Sequence, residues 1–193
     1  MNYKIILLFI ISLANESFAI DNISNLEFIE LCDTIIEAEQ MQSAMKLKNI
    51  LNQNNYLDVI KWLHSEIAYG LSPIRYAIAA ENLFIAKTLV DYITYDPNKQ
   101  RPFSYTNGSI SEHTTIAKMC YDPVSTKLKI LKQCSLGNAQ FLNFLCAFFS
   151  NYLSKELLME AITRAKDNNQ RDIIPILTNY LVECQYTHGR QKH

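Results

Sequence analysis

The residues whose types suit catalysis are few, and their spacing is loose. Cys184 and His188 stand four apart, which puts a thiol and an imidazole on one face if the segment is helical. A Cys–His nucleophilic pair needs such proximity, but one coincidence of this kind is expected in a chain of 193 residues. Residues 94–112, TYDPNKQRPFSYTNGSISE, collect Tyr95, Asp96, Arg101, Phe103 and Tyr105, with His113 just beyond. A loop of that length is often functional, and packing of its aromatics over the core is the plain alternative. A small enzyme, or an enzyme's accessory domain, with its site in this loop is one reading of the chain.

Other chemistry is missing. There is no Gly-x-Gly-x-x-Gly and no phosphate-cradling Gly-Lys-Ser/Thr. No Gly-x-Ser-x-Gly elbow occurs either. Histidines 64, 113, 188 and 193 are scattered, and no Cys-x-x-Cys marks a zinc site. No catalytic set, cofactor or metal is expected. A net charge of −1 and a pI near 6.4 imply no broad phosphate-binding surface, so nucleic acid is not an expected partner. Cys32, Cys120, Cys134, Cys146 and Cys184 form an odd set in apolar helical contexts. They read as small buried hydrophobes, although export would permit disulfides.

The elements that would position any site are helices. Hydrophobic residues make up 49% and charged residues 19% of the chain, which argues against disorder. Four glycines and five prolines leave little punctuation for an all-β fold. Residues 70–92, GLSPIRYAIAAENLFIAKTLVDY, show the local grammar. Gly70 permits the positive φ of a tight turn. Ser72 precedes a proline and is pushed into the extended region, where an N-cap sits and its hydroxyl can take an orphan amide. Pro73 falls at the first helical position. Ile74, Ala77 and Ile78 line one face, Glu81-Asn82 interrupts, and Leu83, Ile85, Ala86, Leu89 and Val90 restart the pattern. The spacing predicts helix, tight turn, helix, with Ile85 and Leu89 buried.

Similar cores recur. NYLDVIKWL at 55–63 matches ENLFIAKTL at 81–89, and NQRDIIPIL at 169–177 shares its rhythm. TTIAKMC at 114–120 lies over SPIRYAI at 72–78, and KLKIL at 127–131 follows at the matching distance. Self-similarity of this kind signals a stacked array. The stretch SPIRYAIAAENLFIAKTLV resembles the ankyrin repeat, with Gly70, Ser72, Pro73, Ile74, Ala77, Leu83, Ile85, Lys87 and Leu89 fitting its pattern. Asn55, Leu57, Asp58, Val59, Ile60 and Leu63 fit the second half of an earlier unit. Thr114, Ile116, Met119, Cys120, Leu128, Ile130 and Leu131 fit a third, and Ile162, Ala165, Asp172, Ile173, Ile174 and Leu177 a fourth.

The resemblance implies an all-α chain: a short solenoid of about four divergent helix-turn-helix units near 47–66, 70–93, 112–134 and 157–182. An N-terminal capping helix would span 20–46, with Leu26, Ile29, Ile36 and Met45 among its apolar positions. A tail would follow at 183–193. The family's turn-bridging His is replaced by Asn49, Arg75, Ala117 and Thr163. Matched starts lie 42 residues apart from Ser72 to Thr114 and 46 from Thr114 to Glu160, against a family period of 33, and the first step is only 26. Residues 138–153, NAQFLNFLCAFFSNYL, read as an additional or lengthened helix.

By the same resemblance, another protein would bind on the concave side and at the turn tips. The positions are Gln53 and Asn54, Ala79 and Ala80, Tyr121 and Asp122, and Asp167 and Asn168. A solvated polar rim is the alternative for them. Tyr69 and Tyr105 are added as anchors, because tyrosine offers large contact area at low entropic cost.

The first residues read differently. Lys4, an apolar run from Ile5 to Leu13 and Ser17-Phe18-Ala19 fit a secretory signal cut after Ala19. A buried first helix or an uncleaved anchor is the alternative. The run is short for a bilayer span, so no stable membrane insertion is expected once the signal is removed. The mature chain is expected to be secreted or periplasmic.

Overall fold

The computed structural model describes residues 24–34, 36–94 and 110–189. Among them the regular structure is all helical: ten α-helices, one 3-10 turn and no strand. The chain divides into two units, 1–116 and 117–193. The first holds α1 (Asn25–Cys32), α2 (Glu37–Gln53), α3 (Tyr56–His64), α4 (Pro73–Ala79) and α5 (Leu83–Thr94). The unit boundary falls inside α6 (Ile110–Cys120). The second unit continues with α7 (Pro123–Leu136), α8 (Ala139–Phe148), the 3-10 turn Ser150–Tyr152, α9 (Lys155–Asp167) and α10 (Ile173–Gly189).

In the first unit, Ser24 starts α1 through a capping box. Its hydroxyl accepts from the Glu27 amide at 3.2 Å and its own amide donates to Glu27 Oε2 at 2.9 Å. That amide bond holds the Glu27 carboxyl below its usual range. The helix stops at Asp33, and α2 begins after Ile36. The single capping helix expected over 20–46 is therefore two helices, and its expected end at 46 lies within α2. The break resets the helical phase. Phe28, Leu31 and Cys32 are buried from α1, and Ala44, Leu47, Ile50 and Leu51 from α2, whereas Leu26, Ile36 and Met45 face solvent.

Two buried polar contacts fix α1 against later helices. The Trp62 indole N–H donates to Asn25 Oδ1 at 3.0 Å, while its ring meets Phe28 edge-on with centroids 5.0 Å apart. The Asn82 amide donates to the Leu31 and Cys32 carbonyls at 3.4 and 3.2 Å, and Asn82 Oδ1 accepts from the Ile85 amide at 3.1 Å. One side chain thus satisfies orphan carbonyls at the end of α1 and an orphan amide at the start of α5.

The hairpin at 70–94 forms largely as its sequence suggests. Tyr69 and Gly70 both have positive φ, 51° and 70°, and the Ile67 amide donates to the Leu71 carbonyl across the turn. Pro73 is at the first turn of α4, and Ile74, Ala77, Ile78, Ile85, Ala86 and Leu89 are buried. Ser72 is the N-cap by its backbone, but its hydroxyl makes no cap hydrogen bond. The backbone carbonyl of Ser72 instead accepts from the Tyr76 amide, as in the helix proper.

In the second unit, α7 packs on α8 and α9, and α10 on α8 and α9. Asp122 caps α7 by accepting from the Ser125 amide at 2.7 Å. Gly137 ends the helix at φ +77°, and the Gln133 carbonyl receives the amides of Gly137 and Asn138. Residues 138–153 contain α8 and the 3-10 turn, with Phe141, Leu142, Leu145 and Cys146 in the core. Helix α10 runs on to Gly189, so residues 183–189 are helical rather than a separate tail. Two apolar positions matched to the third repeat, Met119 and Leu128, are exposed; Ile116, Cys120, Ile130 and Leu131 are buried.

Candidate functional site

The residues singled out as partner-binding divide between the two units, and most are engaged locally. Gln53 is exposed at the end of α2. Asn54, next to it, donates its amide to the Ile50 carbonyl at 2.7 Å and so closes its own helix. Asn168 does the same at the end of α9, donating to the Arg164 carbonyl at 2.8 Å, beside exposed Asp167. Ala79 is exposed and Ala80 half-buried, immediately before Glu81 turns the chain with φ 57°. The physical reason these tips are polar or small is therefore helix termination.

Tyr121 and Asp122 are more constrained. The Tyr121 ring stacks on Tyr152 with centroids 4.7 Å apart and tilts against Phe149, and its hydroxyl donates to the Tyr152 carbonyl at 3.2 Å. Asp122 is the α7 cap. Tyr121 is thus a packing residue between the end of α6 and the 3-10 turn. Tyr69 differs from all of these. It is 68% exposed, on a residue that takes a left-handed backbone without being glycine, which is uncommon for a bulky side chain. Of the two tyrosine anchors it is the one the structure describes; Tyr105 and the 95–109 segment lie outside the described residues.

The thiols are placed for packing. Cys32, Cys120, Cys134 and Cys146 are buried and all five cysteines are free. Burial pushes the Cys134 thiol up to about 11 and Cys146 to about 12, and it raises Cys32 as well. These three remain protonated at neutral pH and supply no thiolate nucleophile. Cys184 sits on α10 with its sulfur 3.5 Å from the Leu153 carbonyl; the side chain of His188 lies outside the described residues. Among the described residues no three His, Cys, Asp or Glu side chains group as metal ligands. Nor is any described helix long and apolar enough to cross a membrane.

Sequence reasoning missed two features. Asn82 was legible only as a polar break, because its carbonyl partners lie about fifty residues earlier. The second is the face of α7. Val124, Leu128 and Leu136 are 68%, 62% and 61% exposed, while Thr126 and Gln133 are buried. Both side-chain polar atoms of Gln133 lack a hydrogen-bond partner. Spacing alone could have flagged it: Val124, Leu128, Lys132 and Leu136 recur every four residues. No family model, curated protein or solved structure matches the chain.

Proposed function

We propose that this chain is a protein–protein interaction module: an exported ankyrin-like repeat protein that binds another protein through the concave face and loop tips of a short solenoid. The observation that carries the reading is the α4–α5 hairpin. It joins a positive-φ Gly70 turn, a proline in the first turn of α4 and a short turn to α5, with small Ala77 buried between apolar neighbours. Helices α9 and α10 repeat the two-helix plan, with Asn169 at φ 58° in their turn. Stacked units of this type present extended surfaces for macromolecules. Absence of a nucleophile–base constellation in the sequence favours binding over catalysis. Tyr69, Gln53 and Asp167 are exposed positions at which a partner would be met.

Export rests on the leader alone, Lys4 through Ala19. Two experiments test the reading. Affinity capture with the full chain should recover a protein, and Tyr69→Ala should reduce recovery by roughly tenfold if Tyr69 is an anchor. Recovery of no macromolecule, together with turnover of a small substrate, would overturn binding in favour of a site at 94–112. N-terminal sequencing of the protein from its producer should begin at Ile20; a retained Met1 would remove export.

A further inference from the structure

Successive residues of an α-helix lie about 100° apart around its axis, so positions four and seven apart share a seam. Helix α7 carries two such seams. One is Val124, Leu128 and Leu131; the other is Thr126, Ile130 and Gln133. The second seam is wholly buried, whereas Val124 and Leu128 of the first face solvent. The apolar side of the helix, centred near Leu131, and its buried side, centred near Ile130, are thus about a quarter turn apart. The mismatch is unfavourable twice over. Val124 and Leu128 stay in water, and both polar atoms of Gln133 are buried without a partner. Leu136, the last residue of the helix, is exposed and lies off both seams.

Turning α7 about its own axis by about a quarter turn relieves both. Val124 and Leu128 would then enter the side packed on α8 and α9, and Thr126 and Gln133 would come to solvent. Cys134 lies between the two seams and stays inside in either case. What opposes the turn is Lys127, which stands on the side that would rotate inward. Its Nζ pairs with Glu160 Oε2 of α9 at 2.6 Å, with both side chains about half exposed. Such a pair contributes little by itself, but the lysine would have to leave water as the helix turns. Gly137, left-handed at φ +77° where α7 ends, is a joint able to absorb the rotation. We propose that α7 has two phases, the observed one with Val124 and Leu128 outside and a turned one with Thr126 and Gln133 outside, and that the Lys127–Glu160 pair is the latch between them. The second unit would then offer solvent an apolar stripe in one phase and a polar stripe in the other, and a ligand touching either stripe would select its phase. The inference goes beyond the binding reading and holds without any partner.

Thiol labelling of the full chain with iodoacetamide, read peptide by peptide by mass spectrometry, tests this. Thr126→Cys places a thiol of similar size on the buried seam. With about 0.1–10% of molecules in the turned phase, that thiol should label roughly 10–1,000-fold more slowly than an exposed one. It should still label faster than Cys134, which is buried in both phases. Opening the latch by Lys127→Leu, or separately by Glu160→Gln, should speed labelling at 126 by roughly two- to fivefold and leave Cys134 unchanged. Gln133→Met favours the observed phase and should slow labelling at 126 by roughly fivefold or more. Labelling at 126 as slow as at Cys134 in every background would overturn the proposal. So would latch variants that speed both sites alike, which is loosening of the whole unit rather than a turn, or a Gln133→Met chain that labels faster at 126. Glu160→Gln changes no residue of α7, so a Lys127→Leu chain that fails to fold leaves the test decisive.

Discussion

In α4 and α5 the buried positions are Pro73, Ile74, Ala77, Ile78, Ile85, Ala86, Leu89 and Ile93, and the turn that leads into them is made at Tyr69 and Gly70, with Pro73 opening α4. In α7 the assignment of sides is partly exchanged. Its inner face includes Thr126 and an unpartnered Gln133 beside Ile130 and Cys134, and its outer face carries Val124, Leu128 and Leu136. Both helices start on a proline next to an extended cap residue, so their backbones begin in the same way. What differs is what their side chains are asked to do. The 70–94 hairpin is organised for its own core. Helix α7 accepts polar atoms inside and apolar atoms outside, a conflict between local pattern and fold that costs stability.

The largest effect should come from the well-ordered side of that comparison. Leu89→Ala removes a fully buried side chain and should cost about 2–5 kcal/mol by equilibrium urea unfolding. A loss below about 0.5 kcal/mol, the range of surface substitutions, would show that α5 is not a core helix. Next is Gln133→Met, of similar volume. Removing a buried amide with no partner should raise stability by about 1–3 kcal/mol, the cost of leaving such a group unsatisfied. A loss of stability would mean that the amide is held, and the contrast with α4–α5 would weaken.

Pro73→Gly should destabilise by roughly 1 kcal/mol, through added unfolded-state entropy and poorer helix propensity. An unchanged melting midpoint would count against Pro73 as a helix starter. The smallest effect belongs to Leu128→Ala. This residue is 62% exposed, and its truncation should stay within about 0.5 kcal/mol of the parent in the monomer. A loss comparable to that of Leu89→Ala would show that α7's outer face belongs to the core after all.

The sequence was most readable where a local rule and the tertiary structure agree. Gly70, Pro73 and the apolar spacing of 74–90 mark the hairpin without help from distant residues. Residues 138–153 likewise read as a further helix because their apolar run is long and strongly helical in period. The break at 33–36 was not readable. Nothing there is a strong helix breaker, and the carbonyls left at the end of α1 are taken by Thr34 nearby and by Asn82, roughly fifty residues later. The outer face of α7 was misread for a related reason. Leu128 fits an apolar repeat slot, but on α7 the buried apolar positions are Ile130, Leu131 and Cys134, and Leu128 lies outside them. At the turn tips, Asn54, Asn168 and Asp122 are contact positions by the repeat resemblance, and each is also a cap. Capping and binding favour the same polar residues, so composition does not separate them.

Site-specific photocrosslinking in the producer tests the central claim, protein binding, most directly. A benzophenone amino acid placed at Tyr69, and separately at Asp167, should yield a covalent adduct with another polypeptide at one position or both. The parent chain, without the photoreactive residue, should yield none. Absence of any protein adduct at both exposed positions would contradict the account.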